Sequence, residues 1–298
     1  MGYIQFFYDI HLRVAGPTPT LQLFFENHLA GGQFSFTSIV HMPVELNFEL
    51  NSFVDDGYAA LYGDWNTLTG RWMFKEAATA YGYPFPLASR EQVLNCIKAL
   101  GEFGETRLYL GELFKSNIDH YGHGHADSWC KQYWGISEDV SDALISIADE
   151  HTDIVFELSL AMPQKLLTLL SRRYADLQIT ASSAKQNGKG AKKIVMQSGK
   201  QLPTPAQTPA DIQASVQHIK GEVQRKYFDE LLKPHGLDDA IVIDQFGNAM
   251  FSGSQINVNL IKSRLADGDK AEEIASRYIG LTDRHKEVIH LLPPYWNK

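Results

Sequence analysis

Twice within the first 180 residues a strand-like run is followed by a helical period and then by a second strand-like run, and this doubled order confines the chain to few folds. Residues 3–15 (YIQFFYDIHLRVA) have the aromatic and β-branched content of a strand, and Gly16-Pro17 with Thr18-Pro19 punctuates its end. Leu21, Phe24, Phe25 and Leu29 then recur at helical spacing until Gly31-Gly32 stops them. Phe34, Phe36, Ile39 and Val40 read as a second strand, closed at His41-Met42-Pro43 because proline cannot donate to a ladder. In the second copy, residues 152–160 (TDIVFELSL) form the strand. Pro163 opens a helix carrying Leu166, Leu167, Leu169 and Leu170, and Leu177, Ile179 and Thr180 start the next strand.

That order predicts an α+β fold with a split β-α-β, ferredoxin-like sheet whose one face lies under two helices. Between its halves sits an insertion dense in aromatics: Tyr58, Tyr62, Trp65, Trp72, Phe74, Tyr81, Tyr83 and Phe85, too many for a solvated loop. Ser89 N-caps a predicted helix to Leu100, and Thr106 to Phe114 fits helix or strand. Residues 182–211 are rich in Ser, Gly, Lys, Gln and Pro, the composition of a connector. Ile212, Val216, Ile219, Val223 and Tyr227 mark an amphipathic helix, a stripe for docking or self-association. Extended pieces at 240–243 and 249–251 precede three short helices at 258–265, 271–278 and 283–292, a helix-turn-helix-like layout. The expected organisation is therefore a ferredoxin-like domain at 1–182, a flexible basic linker at 183–211, the amphipathic helix at 212–237 and the helix-turn-helix-like module at 238–298.

Charge follows these divisions. Residues 1–184 hold 11 Lys and Arg against 22 Asp and Glu, residues 185–237 hold 9 against 4, and residues 238–298 hold 7 against 9. An acidic body repels nucleic acid, whose affinity for proteins comes largely from Lys and Arg on phosphates, and suits a protein partner with a basic face. No apolar run reaches the ~18–20 residues of a membrane span, and Met1 to Asp9 lacks a basic and then apolar leader, so a cytosolic location is expected. Cys96 and Cys130 form no spaced framework and are expected reduced and buried.

Metal-ligand residue types concentrate once, in Asp119-His120, His123, His125, Asp127 and Cys130, around a bend at Gly122 and Gly124. A zinc site needs three or four such donors converging, with His120, His123, His125 and Cys130 as the candidate set, but the spacing matches no zinc pattern and a loop capping a helix near Asp127 accounts for the same residues. The acid pairs Asp55-Asp56, Glu138-Asp139 and Asp149-Glu150 read as solvated caps rather than general acid–base pairs. No nucleophile elbow, Walker loop or dinucleotide fingerprint occurs, so neither catalysis nor a cofactor is predicted. If the terminal module read DNA, its last helix would present Arg284, His285 and Lys286 to a groove, helped by Lys189, Lys192, Lys193 and Lys200 of the linker. Tyr58, Tyr62, Trp65, Trp72, Tyr81 and Tyr83 are the candidate protein-binding set, since Tyr and Trp dominate interface hot spots; the competing reading is a satellite core.

Gly16-Pro17, Phe34-Ser35-Phe36, Met42-Pro43 with Glu45-Leu46, Trp134-Gly135 and the stretch Phe156 to Leu170 together resemble a family of phage- and plasmid-borne ferredoxin-like proteins of unknown function. His41, Ile136-Ser137 and Ala161-Met162 depart from that family's pattern. Phe251 to Ile256, Leu265-Ala266-Asp267-Gly268 and Glu272-Glu273-Ile274-Ala275 resemble a short helix-turn-helix domain often encoded beside PIN-domain toxins as an antitoxin-type partner. These resemblances imply a mobile-element-encoded factor that binds a host or rival protein complex, such as an anti-phage defence complex; the lack of catalytic motifs makes it non-enzymatic in expectation, and the stripe of the 212–232 helix with the terminal module predicts homo-oligomers. The alternatives are an antitoxin-like or autoregulatory DNA binder and a metal-dependent enzyme using residues 119–130.

Overall fold

The computed structural model describes residues 7–29, 32–140, 142–159, 162–185 and 190–292. In chain order the elements are β1 (Tyr8–Ala15), α1 (Thr18–His28), α2 (Ser52–Leu61), α3 (Lys75–Ala80), α4 (Arg90–Lys98), α5 (Glu102–Tyr121) and α6 (Ala126–Tyr133). These are followed by β2 (Ala143–Ile147), β3 (His151–Leu158), α7 (Gln164–Arg173), β4 (Gln178–Lys185), β5 (Lys192–Gln197), β6 (Lys200–Leu202) and α8 (Pro209–Leu232). The chain closes with β7 (Ile241–Ile243), β8 (Ala249–Phe251), α9 (Val258–Ala266), α10 (Ala271–Arg277) and α11 (Asp283–Leu291). The first six residues of the sequence, where the first strand was expected to begin, lie outside the described residues. Two compact units result, one of residues 1–41 and 133–298, the other of residues 42–132. No helix among the described residues is long and apolar enough to cross a membrane.

The first unit is an antiparallel α+β structure built on a six-stranded sheet in the order β2-β3-β1-β4-β5-β6. Side chains alternate along each strand, so β1 divides cleanly. Ile10, Leu12 and Val14 join Ile154, Phe156, Ile179 and Ala181 on one buried face, together with Leu166 and Leu170 of α7 and Phe24 of α1. Asp9, His11 and Arg13 point to the opposite face.

Residues 34–40 correct the sequence reading, because Phe36–Ser38 is a turn of 3₁₀ helix rather than a strand. The Asp139 carboxylate accepts hydrogen bonds from the backbone N–H groups of Phe36 (2.6 Å) and Thr37 (3.3 Å) and from the hydroxyls of Ser35 and Thr37, which takes up the donors a ladder would need. Phe34 and Phe36 still reach the core, packing their rings on Phe156, and the place beside β3 is filled by β2. The expected linker is corrected too, since residues 192–202 form β5 and β6. Ser198 and Gly199 both take positive φ, the pair that a two-residue hairpin turn requires.

The second face of the sheet is covered by α8. Ile212 and Val216 pack with Ala184, while Val223, Phe228 and Leu232 share a core with Leu144 and Val155 of the sheet and with Phe251, Val258, Ile261, Ile274, Val288 and Ile289 of the terminal segment. The apolar stripe of α8 is thus consumed by docking within its own chain. The β7–β8 hairpin and the helices α9, α10 and α11 form where the sequence placed them.

The second unit is helical, with a core of Ala60, Leu68, Phe74, Ala78, Leu87, Val93, Cys96 and Ile97. Its main contact is a crossing of α2 and α5 at Gly57 and Gly111, where the two backbones touch: a Cβ on Gly111 would meet the Gly57 carbonyl carbon and lie 2.5 Å from the amide nitrogen of Tyr58. The stretch 106–114, which fitted helix or strand, is the middle of α5.

Candidate functional site

The aromatic insertion falls within the second unit and separates into two groups. Trp65 and Tyr83 pack against the unit's core, and the Tyr83 hydroxyl accepts a hydrogen bond from Asn95 Nδ2 at 2.9 Å. Tyr58 is half-buried against Phe114, their centroids 5.2 Å apart. Trp65 and Tyr83 thus belong to the satellite core, while Tyr58 packs beside it on α5. Trp72, by contrast, is 85% exposed, Tyr81 50% and Tyr62 42%. Tyr81 stacks on Tyr83 with centroids 5.3 Å apart, which holds the exposed ring on a fixed support, and Tyr62 is fixed by donating to Glu112 Oε2 at 2.5 Å. That bond pushes the Tyr62 phenol above its ordinary pKa. Phe103 and Tyr109, both on α5, are largely exposed as well, and periodicity gave no signal for them because neither belongs to an apolar stripe.

The frame beneath these rings is ionic. Asp56 is buried and takes hydrogen bonds from Arg71 (3.1 Å) and Arg107 (3.3 Å), and Arg107 also lies over the Phe53 ring, 3.8 Å from its centroid. Asp56 was expected as a solvated cap, and it is instead the anchor of α2 on α5. The unit carries 7 Lys and Arg against 12 Asp and Glu. Its exposed rings therefore stand in a negative field.

The His-rich segment does not converge, and no group of three metal-ligating side chains occurs among the described residues. His120 Nδ1 lies 2.8 Å from the Ser116 carbonyl oxygen, within its own helix. His123 pairs with the Ser128 hydroxyl at 3.1 Å, and His125 donates through Nε2 to the Phe48 carbonyl at 2.5 Å. Cys130 is buried with its sulfur 3.5 Å from that of Met42, and Cys96 and Cys130 are both buried thiols. The imidazoles serve a helix end and a loop tie, and the site that the composition offered is not assembled.

The basic residues considered for DNA are also dispersed. Lys192 and Lys193 are neighbours on β5 and so project to opposite faces of the sheet. Arg284 is paired with Asp239 and the Gly236 carbonyl, Lys286 with Asp283 at 2.9 Å, and Lys189 lies outside the described residues. His285 turns inward, its ring tilted against that of Phe251, and its burial lowers its pKa. Its ring completes the capping box of α11 with Thr282 instead of facing a groove.

Sequence reasoning missed the charged layer between sheet and α8. Asp153 on β3 is bound by His11 Nε2 (2.7 Å) and by the Arg13 fork (2.7 and 2.8 Å). Burial works against its charge, but the bonds from His11 and Arg13 prevail and hold the carboxyl well below the usual carboxylate range. Lys220 of α8 is buried and bridges Asp9 (2.6 Å) and Glu157 (3.0 Å). Its burial disfavours the ammonium, while the charges of Glu157 and Asp9 raise its pKa above the ordinary lysine value. The polar alternation Asp9-x-His11-x-Arg13 opposite Ile10, Leu12 and Val14 was the available signal, but period-two alternation reads equally as a solvated face.

No family model matches the chain, and no curated protein matches it. Among solved structures it is similar to the crystal structure of a protein api92 from Yersinia pseudotuberculosis, of family model DUF1281. The identity is 7% and the TM-score 0.33, over 68% of this chain and 99% of that one. A likeness of that degree defines neither fold nor activity.

Proposed function

We propose that this chain is a non-enzymatic protein-binding factor whose contact surface is the acidic, aromatic-bearing unit of residues 42–132, and that its partner presents a basic, apolar-centred face. The observation that carries this is Trp72, left 85% exposed on a unit that has closed its own core, with Tyr81 supported on Tyr83 and Tyr62 held by the Glu112 carboxylate. Rigid aromatic rings give large contact area at small entropic cost and are the residues on which interface energy concentrates. The excess of carboxylates adds steering towards a basic partner, and refuses nucleic acid.

Two finer readings belong to the proposal. The order β2-β3-β1-β4, with α1 leading from β1 and α7 joining β3 to β4, supports a split β-α-β, ferredoxin-like origin for the sheet. The terminal hairpin and helices support a helix-turn-helix-like module used for protein contact, since its buried side chains already face α8 and its cations are paired within the chain. The resemblance to phage- and plasmid-borne proteins makes a bacterial anti-phage defence complex the partner class we favour.

The test is a comparison of the tagged full chain with its Trp72→Ala/Tyr81→Ala variant against the protein that co-purifies from the host. The expected result is at least about a tenfold loss of affinity at unchanged melting temperature, one hot-spot residue being worth ~2 kcal/mol or more. Equal affinities for the two proteins would refute the assignment of the surface.

A further inference from the structure

The β7–β8 hairpin, in the unit of residues 1–41 and 133–298, leaves one edge open. Among the described residues β7 pairs with β8 alone. Ser252 N donates to the Ala240 carbonyl and Asp244 N to the Asn248 carbonyl, both at 2.9 Å, so residues 240, 242 and 244 turn their main-chain groups towards β8. In an antiparallel ladder the residues between them, Ile241 and Ile243, turn theirs the other way. Those outward N–H and C=O groups meet no partner among the described residues. A groove runs beside them: two clefts of about 320 and 310 Å³, which share Arg225 and Ile243 in their linings, lie between β7 and α8. Residues 238–244 (DDAIVID) hold neither lysine nor proline, the residues with which folds blunt an exposed edge, and Val242 is 46% exposed.

We propose that this groove takes up an extended, basic segment of a partner protein, which adds to the β7 edge as a third strand beside the hairpin. Main-chain hydrogen bonds to Ile241 and Ile243 give such an addition its affinity, and alternate side chains give it its choice of partner. Directly opposed residues of an antiparallel pair share a face. Ile241 and Ile243 pack towards α8, Ile241 in the core with Val223 and Phe228 and Ile243 against it. The incoming side chains opposite these two residues therefore reach the α8 side of the groove, and the one opposite Val242 lies with it on the outer face.

Charge decides the occupant. Glu222 is paired with His218 at 3.4 Å, and the Asp244 carboxylate holds its own turn through the amides of Phe246 and Asn248. Asp229 of α8 and Asp238 before β7 line the groove, are exposed, and make no side-chain hydrogen bond or ion pair among the described residues. Against these two carboxylates the cleft along β7 sets the single cation Arg225. The excess of negative charge selects lysine or arginine opposite Ile241 and Ile243, and a β-branched residue between them covers Val242. A second copy of this chain suits the groove less well, because a two-fold pairing of β7 edges brings the same carboxylates against one another. The site does not rest on the aromatic surface of residues 42–132.

The experiment is fluorescence anisotropy of a labelled, capped heptapeptide alternating lysine and valine, titrated with the full chain, together with amide hydrogen exchange followed by NMR. The expected result is saturable binding that slows exchange at Ile241 and Ile243 by at least about tenfold. Replacing the lysines of the peptide by glutamate, or N-methylating its central amides, is expected to weaken binding at least about tenfold. Asp229→Lys/Asp238→Lys is expected to weaken it as much. So is Ile243→Pro, which removes an outward N–H and leaves the bonds to β8 in place. Both variants are expected to keep the wild-type circular dichroism and melting curve. Absence of saturable binding overturns the proposal, as does binding that leaves exchange at Ile241 and Ile243 unchanged or that the N-methylated peptide matches. A chain that dimerises through this edge, its dimer lost in Ile243→Pro, overturns it equally, since the occupant is then a second copy. If Ile243→Pro misfolds, the aspartate variant and the exchange at Ile241 and Ile243 decide.

Discussion

His28 and Gly111 are the residues at which the physical account is most exposed. His28 lies buried between Tyr174 and Ser38, 3.0 Å from each hydroxyl, and burial, reinforced by the charge of Arg173, lowers its pKa to about 4. Its folded value is below the ordinary ~6.5, so its contribution is complete above pH 6.5 and is lost as pH falls towards 4, when the unfolded chain takes up the proton first. Urea unfolding at pH 7 and pH 5 is expected to differ by about 2 kcal/mol on this account. His28→Gln is expected to remove most of that difference, and an unchanged pH slope would count against it. Gly111 works through shape alone. A methyl group there drives α2 off α5, and Gly111→Ala is expected to cost about 3 kcal/mol, read by chemical denaturation. The same crossing explains why α5 was hard to read from sequence: its buried positions are Gly104, Arg107, Gly111 and Asn117, small or polar residues that leave no apolar period.

At the scale of elements, legibility followed the distance over which each element earns its stability. β1, α1, α4, α7, α8 and α9 to α11 carry local signals, an apolar pattern throughout and side-chain N-caps from Ser89, Thr208, Asn257 and Thr282 in α4, α8, α9 and α11, and the sequence reading placed them correctly. The 34–40 segment looked like a strand because its aromatics are buried, but the carboxylate that turns its backbone comes from Asp139, a hundred residues later. β5 was hidden by composition, its Ile194, Val195 and Met196 lying amid lysines and glutamines. The charged layer under α8 was out of reach altogether, since Lys220 is an ordinary surface-type residue until α8 docks on Asp9 and Glu157. Lys220 adds an ionic tie to the apolar docking of α8, and Lys220→Met is expected to cost about 3–5 kcal/mol by leaving Asp9 buried without its cation. The double variant Lys220→Met/Asp9→Leu is expected to recover most of the loss, because an apolar pair can replace a buried ionic one. If the single and double variants were equally unstable in urea, the ion pair would not be what seats the helix.

At the scale of the whole molecule, the expected boundaries at 182, 211 and 237 give way to a different division, in which the insertion is the separate unit and the terminal segment completes the first. Hydrogen exchange of Gly111→Ala is accordingly expected to accelerate within residues 42–132 while the amides of β1, β3 and β4 stay protected. Acceleration throughout the sheet would mean that the two units unfold as one. One unit buries its charges under α8, and the other displays its aromatics. The claim that this display is a protein-binding surface is tested most directly by affinity purification of the tagged chain from a phage-infected or plasmid-bearing host, with nuclease treatment in parallel and mass spectrometry of what co-elutes. The account predicts a host complex at fixed stoichiometry that survives nuclease. Recovery of nuclease-sensitive DNA alone, with no stoichiometric protein, would contradict it.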